Sequence, residues 1–167
     1  MIKNVLLYFA RVLGLTELSL LASIGAIILG RFASSDASFE SVSAFCAAFP
    51  TMLLGLYLLA RREGYEQRKA FSLSNAAGYT IAFVIQFAIA SIFKFAVYTS
   101  GPVYYAAAYI WSANGHDASR IGSVPTWIYL LCMLIADGIY LSVSIFGMNS
   151  GHKKRLEEAE RLISGKN

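Results

Sequence analysis

Apolar residues fall in four long runs, near residues 12–30, 42–60, 75–98 and 126–147, separated by short polar segments. A hydrocarbon core roughly 30 Å thick takes about 20 helical residues to cross, and each run meets that length. In lipid every backbone N–H and C=O must be satisfied internally, so runs of this kind predict helices. The expected fold is all-α: an integral membrane bundle of four transmembrane helices forming one domain over residues 1–167.

The first run carries Glu17, and its uninterrupted part, 18–30, is followed by the small residues of 33–37, a pattern shared with secretory signals. Because Val5–Leu6–Leu7 and the aromatics Tyr8 and Phe9 already give the preceding stretch an apolar face, a retained helix beginning near Ile2 is expected. The second run is uncharged from Ser41 to Ala60, holds Pro50 near its middle and stops at Arg61–Arg62. Proline kinks a helix by removing one backbone donor, a defect that neighbouring membrane helices absorb. The third run is preceded by Ser72 and Ser74, both suited to a helix N-cap, and ends at Gly101–Pro102.

Residues 103–113 are apolar and rich in tyrosine but too short to span, which predicts a short outer helix, interfacial or re-entrant. Beyond Gly147 the chain alternates basic and acidic residues. Lys153/Glu157, Lys154/Glu158 and Glu157/Arg161 stand four apart, and Leu156, Ala159 and Ile163 share a face, so a charged cytoplasmic C-terminal helix is expected over 150–167.

Composition agrees: the chain is 57% hydrophobic and 14% charged, with mean hydropathy +0.56, whereas soluble domains average about 25% charged. The net charge of +4 lies in short loops and tails, the pattern of topology signals and anionic-lipid contact rather than of nucleic-acid binding. With four spans and the N-terminus inside, eleven basic residues (Lys3, Arg11, Arg61, Arg62, Arg68, Lys69, Lys153, Lys154, Arg155, Arg161 and Lys166) face the cytoplasm. Only Arg31 and Arg120 fall outside, and Lys94 lies within a span close enough to its end to snorkel. Both termini are therefore expected in the cytoplasm, the bacterial cytoplasmic membrane being the default location. Tyr98, Tyr104, Tyr105, Tyr109, Trp111, Trp127 and Tyr129 gather at the outer boundary, as interfacial aromatics do.

Glu17, Gln86 and Asp137 are the polar residues inside the runs that call for explanation. An ionised side chain at the bilayer centre costs roughly 2.5–3.5 kcal/mol on insertion scales, so it usually faces protein or water. Asp137 sits mid-run between Ala136 and Gly138, with Gln86 at a similar depth. The pair reads either as a proton- or cation-responsive site or as a carboxyl–amide bond locking two helices. The second is favoured, because no basic residue shares that depth. Glu17 reads either as part of a polar track with Asp137 or as a carboxylate reaching cytoplasmic water or Arg11.

Small residues recur four apart at Ala22/Ala26/Gly30, Ser43/Ala47, Ala44/Ala48 and Gly78/Ala82, which predicts close helix packing. Cys46 and Cys132 read as small packing residues, and adjacent His116–Asp117 is too sparse for a metal site. No nucleophile–base, zinc or phosphate-loop pattern is present, so neither catalysis, a metal nor a cofactor is expected. The expected role is that of an accessory membrane protein that binds a membrane-protein partner or a second copy of itself. The alternative is a small ion- or proton-linked transporter or channel subunit using Asp137, Gln86 and Glu17.

Overall fold

A computed structural model describes residues 2–33, 37–92, 101–116 and 124–164. They form five helices: α1 (Ile2–Ala33), α2 (Ala37–Gln67), α3 (Leu73–Ile92), α4 (Gly101–Ala113) and α5 (Thr126–Ser164). Three of them, α1, α2 and α5, are long and apolar enough to cross a membrane. The third predicted span reached residue 98; α3 is described to Ile92, and 93–98, with Lys94, lie outside the described residues.

Side-chain contacts fix the helix directions. Arg11 of α1 meets Glu63 of α2, Leu15 packs on Gly55, and Gly30 lies against Phe39 and Ser43, so α1 and α2 are antiparallel. Phe49 stacks near Tyr140, Tyr57 near Phe146, and Tyr65 bonds Glu158, so α2 and α5 run parallel. Asn75 contacts Met148, Tyr79 lies beside Ser144, and Phe83 and Val84 face Leu134 and Asp137, so α3 opposes α5. The four long helices therefore alternate in direction along the chain.

Large apolar side chains cover much of the outside, and several small hydroxyls lie inside. Leu29, Phe146, Leu21 and Leu134 stand exposed, while Thr16, Ser19, Ser23 and Ser144 are buried. Each buried hydroxyl bonds a carbonyl of its own helix, Thr16 to Val12, Ser19 to Thr16, Ser23 to Leu20 and Ser144 to Tyr140, at 2.7–2.8 Å. Among leucine-like lipid tails, hydrophobicity does not draw helices together. Close van der Waals contact between small faces does, which accounts for the small hydroxyl residues buried at the helix contacts. The small pairs Ala44/Ala48 and Gly78/Ala82 are buried, as that logic requires.

The closest seam joins α2 to α5. A Cβ at Gly151 would lie 1.9 Å from the Arg61 carbonyl oxygen, and one at Gly64 would lie 2.0 Å from the Met148 oxygen. Gly147 likewise faces the Tyr57 carbonyl, at 2.7 Å. Gly147 and Gly151 stand four apart on one face of α5, a spacing that brings the two backbones into contact. Gly147 was expected to end a span and precede a separate tail helix. Instead α5 runs unbroken for 39 residues, about 58 Å, well beyond a hydrocarbon core. Tyr65 holds this extension to α2: its hydroxyl donates to Glu158 at 2.5 Å and accepts from Arg155 at 3.3 Å. Of the three expected four-apart pairs in the tail, Lys153–Glu157 and Lys154–Glu158 form, both at 3.9 Å.

Helix α4 inserts one face into the bundle. Val103, Ala107 and Ala108 are buried, and the Tyr105 hydroxyl lies 3.2 Å from that of Ser23 of α1, within hydrogen-bond reach. Ser72 directly precedes α3, its carbonyl accepting the N–H groups of Asn75 and Ala76 at 3.0 Å each. Pro50 stays within a continuous α2.

Candidate functional site

Asp137 is reached by a face of α5 that repeats every three to four residues. Leu134, Asp137, Gly138 and Leu141 form one wall of a groove, and Thr80, Phe83 and Val84 of α3 form the other. The Asp137 residue is only 7% exposed, so its carboxyl is withdrawn from the bundle surface and borders the groove. It lies eleven residues into α5, about 16 Å along the helix from its start. Gln86 belongs to α3, but its side chain lies outside the described residues. Glu17 is exposed on the flank of α1 and does not border the groove. The three polar candidates thus do not converge on one described cavity.

A second polar group, at the end of the bundle where α1 begins, was not anticipated as a unit. Arg11 of α1 forms an ion pair with Glu63 of α2, which also accepts a bond from Gln67 at 3.1 Å. Beside it, Asn75 of α3 donates to the Tyr8 hydroxyl, accepts from Ser72 and contacts the Met148 sulfur at 3.6 Å. The Tyr8 and Tyr79 rings stand 4.0 Å apart, and the Arg11 guanidinium lies 5.8 Å from the Tyr8 ring centre. Three helices thereby meet through polar side chains, each with a partner, and α5 joins them through the Met148 thioether. A cluster so fully engaged can fix helix positions, and it contains no nucleophile beside a free base. The expectation that Arg11 answers Glu17 gives way to Glu63, which packs opposite it on α2. The sequence signal for this was an acid directly after two arginines, Arg61–Arg62–Glu63.

At the opposite end, Arg31 near the end of α1 pairs with Glu40 near the start of α2 at 3.0 Å. His116 stacks on Trp111 with ring centres 3.8 Å apart, and Asp117 lies outside the described residues. Among the described residues no three histidine, cysteine or acidic side chains come together as metal ligands. Cys132 is half-buried beside α4, whereas Cys46 is exposed on the bundle flank rather than packed within it. Comparison of the chain with protein-family models, curated proteins and solved structures gives no match in any of the three.

Proposed function

We propose that the chain is a multi-pass accessory membrane protein that crosses the bilayer four times, keeps both termini in the cytoplasm, and binds a membrane-protein partner through its α5 extension. The observation carrying this reading is that extension. Its root is clamped to α2 through Gly64, Gly151 and Tyr65, yet Leu156, Leu162 and Ile163 are at least half exposed on it. A helix held rigid at its base and bare of apolar contacts at its tip suits recognition by a partner rather than catalysis. The alternating directions of α1, α2, α3 and α5 support four crossings, and the excess of basic residues at one end of the bundle supports a cytoplasmic extension, with a bacterial cytoplasmic membrane as the proposed setting. Helix α4 then occupies the outer half.

The transport reading built on Asp137, Gln86 and Glu17 has less behind it. Glu17 looks away from the Asp137 groove, and the walls of that groove are almost wholly apolar.

Site-specific photocrosslinking in native membranes tests the partner reading. A crosslinker at Leu156 or Ile163 should give adducts of one defined mass, and one at Glu157 or Arg161 should give few. Equal labelling at all four positions, or none at any, would refute a docking face.

A further inference from the structure

Asp137 poses a question that neither the polar clamp nor the α5 extension answers. A carboxyl in the middle of an apolar helix is costly, and proteins ordinarily offset that cost with a cation or several donors. Arg11 and Glu63 follow that rule at one end of the bundle, as do Arg31 and Glu40 at the other. Asp137 does not. Among the described residues no side chain donates a hydrogen bond to it and no basic group pairs with it, although the residue is only 7% exposed.

The space beside it has the shape of a ligand site. The α3–α5 groove encloses about 430 Å³, within the range of roughly 300–1,000 Å³ common to small-molecule pockets. Gly138, next to the carboxyl, is exposed and a Cβ built there meets nothing within 4 Å, so open space adjoins the acid along the groove. Phe83 contributes an aromatic ring, and Val84 and Leu134, both exposed, form the rims. The Thr80 hydroxyl is already engaged with the Ala76 carbonyl at 3.0 Å and is not needed as a donor. The groove therefore opens along the flank of the bundle, which in a membrane is the acyl-chain region, and a single acid stands at its back.

A ligand suited to this site is apolar over most of its surface, so that it reaches the groove through lipid, and carries one positive charge to meet Asp137. The Phe83 ring reinforces the preference for a cation. We propose that the α3–α5 groove binds a small lipophilic organic cation from within the bilayer, with Asp137 as its counter-ion. Neutral lipid tails fit the walls but leave the carboxyl unanswered, and anions are repelled by it. This assignment is independent of the partner reading, since it uses no residue of the α5 extension.

The test uses the full chain in phosphatidylcholine nanodiscs, with empty discs as the blank. Tetraphenylphosphonium serves as the cation and tetraphenylborate as an anion of the same shape. The cation should bind saturably, one per chain, and the borate should show only the partitioning seen in empty discs. Asp137→Asn should weaken the cation at least about tenfold, the size of one charge-assisted contact, without altering the shape of the groove. Gly138→Leu, directed into open space, should block it while leaving the carboxyl in place. Cation binding no greater than in empty discs, undiminished binding by Asp137→Asn or by Gly138→Leu, or equal uptake of the borate would each overturn the assignment.

Discussion

Replacing Gly151 by alanine probes the α2–α5 seam at its tightest point. The new methyl group would lie 1.9 Å from the Arg61 carbonyl oxygen, 2.8 Å from its carbon and 3.0 Å from the Tyr65 nitrogen. Ordinary carbon–oxygen contacts are about 3.3–3.6 Å, so the two helices must part by more than about 1 Å. All three obstructing atoms are backbone, and no rotamer change can move them aside. Overpacking costs about 1–3 kcal/mol, and a backbone obstacle puts this site at the upper end. Alanine recovers about 1 kcal/mol of helix propensity, leaving a net loss of about 2 kcal/mol. That is roughly a thirtyfold shift in the unfolding equilibrium, or a Tm lower by about 4–8 °C for a chain of this size. Reversible unfolding in bicelles, followed by circular dichroism, measures it. Gly138→Ala is the control, since its Cβ meets nothing and it should be neutral or stabilising. Equal stability of Gly151→Ala and the parent chain, or an equal loss in Gly138→Ala, would refute this account of the seam.

Two other expectations use the same assay. Arg11→Met leaves Glu63 buried without its cation and should cost about 3 kcal/mol; the Arg11→Met/Glu63→Met double variant should recover much of that, and strict additivity would show the pair to be uncoupled. Glu17→Leu removes an exposed charge that contributes no packing, so stability should change by less than about 0.5 kcal/mol; a larger loss would place Glu17 in a contact within the bundle.

Helical runs were readable in the sequence because lipid demands length and apolarity, and both are local properties. Directions and pairings were not. Arg11 and Glu63 are 52 residues apart, and no spacing rule links them. Gly147 was readable as a residue but taken for a stop, because glycine ends helices in water; against a neighbouring helix in lipid it permits contact, and only the Gly147–Gly151 spacing hinted at that. The tyrosines of 103–113 pointed to an interface, while Val103 and Ala107, four apart, marked the face that α4 buries. In the sequence Glu17 and Asp137 differed only in their position along their runs. What separates them is helix rotation: Asp137 turns toward α3, and Glu17 turns outward from the bundle.

Alternating helix directions in a bilayer are tested most directly by the sidedness of single cysteines. With Cys46→Ala and Cys132→Ala as background, Asn4→Cys, Lys69→Cys, Asn114→Cys and Glu160→Cys each place one thiol at a chosen end of a helix. Intact cells treated with a membrane-impermeant maleimide should label position 114 alone, and positions 4, 69 and 160 should react only after the membrane is opened. Labelling of 69 and 160 from opposite sides would mean that α2 and α5 do not run in the same direction, and the four-crossing bundle would be wrong.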